Sequence, residues 1–156
     1  MKRTTFTLAA FVATLGMAQA EPVAPGDVVW DDIAITASLT GVPGNPAEGA
    51  KVLATKSIGN CIACHEVTAL NDEPFHGEVG PLLDGAGDRW TAAELRGILV
   101  DAKQVFPDSV MPSFYKIDGF VRPGKRFTGK AADDTFSTLL TAQQIEDAVA
   151  FLMTLQ

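Results

Sequence analysis

Apolar side chains recur every three or four residues in two segments of the chain, a spacing that places them on one face of a helix. The first face consists of Leu95, Ile98, Leu99 and Ala102, and the second of Ile145, Ala148, Val149, Leu152 and Met153. Each segment begins with a capping box, in which a Thr side chain and a Glu or Gln three residues later bond reciprocally to backbone amides, and with a hydrophobic staple. The boxes are Thr91 with Glu94 and Thr141 with Gln144, and the staples are Trp90 with Leu95 and Leu140 with Ile145. The pattern predicts two amphipathic helices.

A shorter helix is predicted to begin after Asn45 and to run towards Ser57. The Asn45 side chain can cap free amides, Pro46 suits the first turn, and Glu48 stands where it can complete a capping box. The apolar face of this helix is small and consists of Ala50, Val52 and Leu53. Because so short a helix is marginal alone, we expect it to pack closely against another element.

The first twenty residues have the pattern of a secretory signal peptide. Lys2 and Arg3 give a positive start, residues 8–15 are apolar but too few to span a bilayer as a helix, and residues 18–20 form a small-residue cleavage site. An uncleaved anchor is the alternative, but nothing after Glu21 prolongs the apolar run. We therefore expect export to the periplasm and a soluble mature form with no membrane span.

Residues 21–43 are expected to form an extended N-terminal arm, and residues 44–156 a single domain. Prolines and glycines interrupt the arm, and the weak alternation from Val28 to Leu39 allows at most one strand. Without its first 20 residues the chain retains 136 of 156, enough to bury an adequate core without disulfides. The net charge of this mature form, −9, makes nucleic acid an unsuitable partner.

The strongest chemical signal is the run Cys-Ile-Ala-Cys-His at residues 61–65. Two cysteines one helical turn apart can both bond to the vinyl groups of a haem, and the histidine that follows can bind the iron. A redox dithiol, a zinc half-site and chance are the alternatives, but no alternation of strands and helices surrounds the motif and no further zinc ligands accompany it. The motif predicts one haem c bonded to Cys61 and Cys64, with His65 on the iron, inside a small all-α fold with long loops.

Met111 is predicted to be the sixth ligand of the iron. The mature chain offers three candidates, Met111, Met153 and His76. Met153 lies on the apolar face of the last helix and is expected to fill the core, and His76 is only eleven residues past His65, a short tether for reaching the opposite haem face. Residues 106–112 form a loop that two prolines stiffen, and a stiff loop can aim the Met111 thioether. Filling a gap beneath the loop is the alternative role for Met111.

Four segments of the chain, taken together, resemble a known family. They are residues 59–65 (Gly-Asn-Cys-Ile-Ala-Cys-His), 75–81 (Phe-His-Gly-Glu-Val-Gly-Pro), 111–115 (Met-Pro-Ser-Phe-Tyr) and 141–147 (Thr-Ala-Gln-Gln-Ile-Glu-Asp). The family that they resemble is SoxX, the monohaem cytochrome c subunits of the SoxAX complex of bacterial sulfur oxidation. The second and third segments are the more specific, because many cytochromes c share the haem motif and a Gly-Pro pair.

The resemblance implies a cytochrome c fold in which the Pro81 carbonyl accepts a hydrogen bond from the His65 ring and Met111 completes the iron coordination. It also implies a heterodimer with a SoxA-like cytochrome subunit and a joint L-cysteine S-thiosulfotransferase reaction, in which thiosulfate is oxidatively conjugated to a cysteine of a SoxYZ-like carrier protein. The electrons would pass to a downstream acceptor cytochrome. Because the haem takes both cysteines, no thiol is left as a nucleophile, and no catalytic residue is expected on this chain.

Two other function classes stay open. A freely diffusing periplasmic electron carrier would use the same ligands, whereas a peroxidase-like or ligand-binding haem protein needs an open sixth position, which Met111 would fill.

The segment from Lys116 to Lys130 carries a charge of +4 on an otherwise acidic protein. This basic segment is either a solvated loop or a surface that docks against the partner or shields the haem propionates.

Overall fold

Helices and loops make up the described part of the chain, residues 21–120 and 133–156 of the computed structural model. The α-helices are α1 (Pro46–Ala54), α2 (Ala86–Arg89), α3 (Ala92–Val105) and α4 (Ala142–Leu152). Single turns of 3-10 helix lie at Pro25–Asp27, Cys61–Ala63 and Thr68–Leu70. The predicted all-α class is confirmed. The strand allowed in the arm is not formed, since residues 21–43 contain only one isolated bridge, between Asp31 and Ala34.

Two sequence predictions fall wholly or partly outside these ranges. The predicted signal peptide, residues 1–20, lies outside the described residues, and so do residues 121–130 of the basic segment. Within the described ranges no helix is both long enough and apolar enough to cross a membrane.

The capping boxes predicted at the starts of α3 and α4 are both formed. At the start of α3 the Glu94 amide donates to Thr91 Oγ1 over 3.3 Å, and the Thr91 amide donates to Glu94 Oε2 over 2.8 Å. At the start of α4 the corresponding bonds between Thr141 and Gln144 measure 3.2 and 2.9 Å. The predicted apolar faces of the two helices are buried except for two half-buried members, Ile98 and Met153.

The first helix differs from its prediction at both ends. Asn45 caps it as expected, because its Oδ1 accepts from the Ala47 amide at 2.9 Å. Glu48 does not close a capping box: its carboxylate pairs with Lys51 Nζ at 2.7 Å, and the Asn45 amide donates instead to Asp147 Oδ1 on α4 at 2.8 Å. The helix ends at Ala54 rather than near Ser57, as the chain turns towards the haem motif.

Close packing of α1 against α4 is confirmed, and a glycine makes it possible. A Cβ atom on Gly49 would lie 2.0 Å from the Asp147 carbonyl oxygen and 2.7 Å from Phe151 Cβ. No side chain fits at that distance, so any larger residue must push the helices apart. Val52 and Leu53 on the same helix are buried in the core that α4 shares.

The arm is tied to the domain by one buried ion pair between α3 and α4. Arg96 donates to both carboxylate oxygens of Glu146, at 2.8 and 2.9 Å, and its side chain and that of Glu146 are only 9% and 5% exposed. The same two side chains hold the arm, because Arg96 Nη1 donates to the Ile35 carbonyl at 2.7 Å and the Leu39 amide donates to Glu146 Oε1 at 2.8 Å. The arm is therefore packed onto the helices, with Ile35 and Leu39 in the core.

The third helix is sharply broken at Asp101, whose backbone dihedral angles are φ −151° and ψ 90°. A straight helix of 14 residues would be about 21 Å long. The ring centroids of Trp90 and Phe106, which flank its two ends, are nevertheless only 5.9 Å apart, in an edge-to-face contact. The last turn of α3 therefore folds back towards its first.

Removing one partner of the buried pair should destabilise the whole domain. Arg96→Ala is expected to lower the free energy of unfolding by roughly 3–5 kcal/mol, because the Glu146 carboxylate stays buried without a cation. The measurement is urea denaturation of the mature haem-loaded protein followed by circular dichroism. Lys51→Ala, which breaks the exposed pair with Glu48, is the matched control and should cost at most about 1 kcal/mol. Equal losses in the two variants would contradict the assigned role of the buried pair.

Candidate functional site

The haem motif forms a single 3-10 turn, Cys61–Ala63, directly after a left-handed residue. Asn60 has φ 51° and ψ 37°, a conformation that Asn tolerates better than most residues. The turn is closed by the amides of Cys64 and His65, both of which donate to the Cys61 carbonyl at 3.0 Å. Ile62 is buried and anchors the turn, while Cys61 is half-buried and Cys64 exposed. The two thiols thus stand one turn apart and are not joined to each other.

The surroundings of the two thiols differ. Burial raises the pKa of the Cys61 thiol to about 12, an effect that a backbone hydrogen bond partly offsets and the charge of Cys64 reinforces. Before any bond to a cofactor forms, Cys61 is therefore a neutral thiol at neutral pH. Cys64, at the exposed side of the turn, is the more accessible of the pair.

The His65 ring is oriented by a backbone carbonyl. His65 Nδ1 lies 2.7 Å from the Pro81 carbonyl oxygen, which can only accept, so Nδ1 carries the proton and donates. In a neutral ring the lone pair is then on Nε2, for which the described residues provide no hydrogen-bond partner. A ring that donates one N–H to a carbonyl and keeps its other nitrogen free is typical of a histidine that binds a metal.

A close contact of glycine with the ring makes that hydrogen bond possible. A Cβ on Gly80 would lie 2.2 Å from His65 Cε1 and 2.6 Å from Nδ1, so only glycine lets this segment pass the ring. The Gly80 amide donates to the Cys64 carbonyl at 2.7 Å, and the Gly77 amide donates to the Ile62 carbonyl at 2.8 Å. Backbone hydrogen bonds therefore hold the segment 77–81 against the haem motif.

His76 makes hydrogen bonds through both of its ring nitrogens. Its Nδ1 accepts from the Val67 amide at 3.2 Å, and its Nε2 lies 3.1 Å from the Leu70 carbonyl oxygen, to which it donates. Both ring nitrogens are thus used within the loop that follows the haem motif. His76 offers no free nitrogen to an iron.

Met111 lies in a loop that is fixed on both sides of the residue. The Met111 amide donates to Ser109 Oγ at 3.1 Å, and Lys103 Nζ donates to the Met111 carbonyl oxygen at 2.6 Å. The Met111 side chain is half-buried against the hydrophobic core. Met153 packs against the same core at the end of α4, close to Gly87, which agrees with its predicted role as core filler.

The residues present fit a haem. Two thiols one turn apart and an imidazole with a free Nε2 are the donors that covalent attachment and iron binding require. Large apolar side chains are exposed beside both candidate iron ligands: Val79 and Leu82 flank the segment that contacts His65, and Phe106 and Val110 lie in the Met111 loop. Exposed apolar side chains at these positions suit an apolar ring system that covers them.

Comparison with known proteins agrees with this geometry. The family model for cytochrome c matches residues 46–156. No curated protein gives a significant match to the sequence. One solved structure, "Crystal structure of SoxXA from P. pantotrophus", contains a chain that is 56% identical, with a TM-score of 0.81, over 86% of this chain and 98% of that chain. The chain belongs to the SoxX group of the cytochrome c family.

As a SoxX-type cytochrome subunit, the protein carries covalently bound haem c and has the predicted cytochrome c fold. Two side chains that hold the backbone of the Met111 loop, Lys103 and Ser109, were not predicted from the sequence. No sequence pattern distinguishes them from ordinary surface residues: Lys103 and Met111 are eight positions apart in the sequence and come together only where the chain turns after α3. The described part of the basic segment also contains a paired cation, since Lys116 Nζ lies 2.8 Å from Asp101 Oδ2.

Enlarging Gly80 should disturb the His65 ring in this SoxX-type cytochrome. Gly80→Ala is expected to lower the free energy of unfolding by roughly 1–3 kcal/mol, because the added methyl group overlaps the imidazole. Urea denaturation measures this loss, and NMR shifts of the His65 ring protons report the displacement. Gly26→Ala is the matched control, because a Cβ there meets nothing within 4 Å. Unchanged His65 shifts in Gly80→Ala would show that the close contact does not orient the ring.

Proposed function

We propose that this SoxX-type cytochrome is the electron-transfer subunit of a periplasmic heterodimer with a SoxA-like cytochrome, and that the pair conjugates thiosulfate to a cysteine of a SoxYZ-like carrier protein. One observation carries the proposal: the chain is 56% identical to, and covers 98% of, a chain in a structure described as SoxXA. The signal-peptide pattern of residues 1–20 supports export to the periplasm, where c-type cytochromes mature.

The haem of the proposed site is bonded to Cys61 and Cys64, and its iron to His65 and Met111. A haem held in this way supplies a one-electron iron couple. The Pro81 carbonyl fixes the His65 tautomer and strengthens its donor nitrogen. The Met111 thioether favours ferrous iron and so raises the reduction potential.

Sulfur chemistry is assigned to the partner and the carrier. Conjugation forms a bond between the carrier cysteine sulfur and the outer sulfur of thiosulfate, and releases the thiol proton and two electrons. The sequence has no cysteine besides Cys61 and Cys64, so this chain has no nucleophilic thiol to spare once haem is attached. Its single one-electron centre accounts for one of the two electrons. A second redox centre on the SoxA-like partner, or two successive departures, must account for the other.

A freely diffusing electron carrier is the alternative that uses the same ligands. It differs from the heterodimer in burying no permanent interface, so size-exclusion chromatography of the native protein distinguishes the two. The heterodimer is favoured because the solved relative is described as a complex, SoxXA.

Replacing Met111 should open the iron. Reduced Met111→Ala is expected to bind carbon monoxide readily and to lose the weak near-infrared band of a thioether bond to oxidised iron, whereas the wild type keeps the band and hardly binds the gas. Met153→Ala is the matched control and should behave like the wild type, because Met153 packs in the core. Acid-acetone should extract haem from none of these proteins. A band that persists in Met111→Ala and vanishes in Met153→Ala would reverse the assignment.

The isolated chain should be inert towards thiosulfate. Conjugation to the carrier cysteine, followed by mass spectrometry, is expected only when the SoxA-like partner is added, and the haem spectrum of this chain should then show reduction. The variant with both Cys61→Ala and Cys64→Ala lacks the attachment sites and should not sustain turnover. Conjugation by the isolated chain, or undiminished turnover with the double variant, would refute the proposed role.

A further inference from the structure

The break in α3 makes two backbone carbonyls available to partners outside the helix. In an unbroken helix the carbonyls of Leu99 and Val100 would accept from the amides four residues later. At the break they accept instead from the loop that follows Met111: the Phe114 amide donates to Leu99 at 3.1 Å and the Tyr115 amide donates to Val100 at 3.2 Å. The segment directly after Met111 is therefore bonded to the broken helix by its backbone.

The Asp101 carboxylate stabilises the break on both of its sides. Its Oδ1 accepts from the Lys103 amide at 3.3 Å, as a cap does at the start of a helix, and so begins the last turn of α3. The same Oδ1 accepts from Ser113 Oγ at 2.6 Å, and Oδ2 pairs with Lys116 Nζ at 2.8 Å. One buried carboxylate thus holds the turn before Met111 and the segment after it.

The charge of Asp101 is maintained despite its burial. Burial alone would raise the pKa of this carboxyl, but the hydrogen bonds from Lys116 and Ser113 and the charge of Lys116 outweigh it, so the pKa lies below its ordinary value. The carboxylate is ionised at neutral pH and can accept all three hydrogen bonds. Its capped turn also carries Lys103, whose Nζ donates to the Met111 carbonyl.

We propose that Asp101 is the positioning residue for Met111: by breaking α3 and bonding to Lys103, Ser113 and Lys116, it fixes the loop that presents the thioether and thereby sets the strength of the bond to iron. The inference rests on the proposed assignment of Met111 as iron ligand. Asp101 acts through the loop and is not itself a proposed ligand of the iron.

Replacing the carboxylate tests this role. Asp101→Ala removes all three hydrogen bonds, and we expect carbon monoxide to bind the reduced protein roughly 10- to 100-fold more tightly than the wild type, the range typical when a residue that orients a metal ligand is lost. The near-infrared thioether band should weaken, and the amides of Phe114 and Tyr115 should exchange with solvent faster. Asp101→Asn keeps an acceptor oxygen and should recover much of the wild-type behaviour. Asp108→Ala is the matched control, an exposed carboxylate in the same loop, and should change none of the three readouts.

The outcomes separate this inference from the proposed function. Folded Asp101→Ala with the band, gas affinity and amide exchange of Asp108→Ala would overturn it. If Asp101→Ala does not fold, Ser113→Ala decides: it removes only the 2.6 Å bond, and a wild-type band and affinity there would equally overturn the inference. If the wild type itself lacks the band, Met111 is not the ligand and the proposed function is wrong in that respect. Faster amide exchange in Asp101→Ala would then still establish that Asp101 fixes the loop.

Discussion

The buried pair between Arg96 and Glu146 is the interaction on which the arrangement of the chain depends. Two charges at this depth are costly to desolvate, and their attraction compensates only when the remaining donors and acceptors are also bonded. Here the arm supplies those partners, the Ile35 carbonyl and the Leu39 amide. The arm, α3 and α4 therefore stabilise one another, and the absence of buried side-chain polar atoms without partners in the described residues agrees with this.

The same helix that carries Arg96 also serves the haem site. The pair of Arg96 with Glu146 fixes the first part of α3 against α4. The last turn of α3 folds back at Asp101 and is held by the contact between Trp90 and Phe106. That last turn carries Lys103, whose Nζ donates to the Met111 carbonyl. A straight α3 would use the Leu99 and Val100 carbonyls inside the helix, so the amides of Phe114 and Tyr115 would lose these partners.

The sequence predicted what depends on local patterns. The capping boxes at Thr91 and Thr141 are read from four consecutive residues, and the haem motif from five, so these features need no knowledge of the tertiary structure. The predicted box at Asn45 was wrong for the opposite reason. Its amide is taken by Asp147, which is 102 residues away in the sequence. No local sequence pattern predicts such a partner.

The ion pair at Arg96 and the break at Asp101 could not be predicted, for the same reason: their partners are distant in the sequence. Arg96 pairs with a carboxylate 50 residues away, and both side chains stand next to apolar positions in helices whose polar residues are usually solvated. Asp101 interrupts a run of residues with good helix periodicity, and nothing local distinguishes it from an acid on a solvated face. Its effect becomes visible only when Ser113 and Lys116 are placed beside it.

The two sides of the proposed haem site are held in physically different ways. On the His65 side, backbone bonds and a glycine that touches the ring leave no space for a larger residue, so substitution there leads to steric overlap. On the Met111 side, backbone bonds are supplemented by side chains, among them Lys103, Ser113 and the carboxylate of Asp101, which can be exchanged without overlap. With Met111 as the proposed iron ligand, changes of sequence in its loop would adjust the bond to iron in small steps, while the histidine side stays constant. Since a thioether ligand favours ferrous iron, the loop around the proposed ligand Met111 is where this chain would tune its reduction potential.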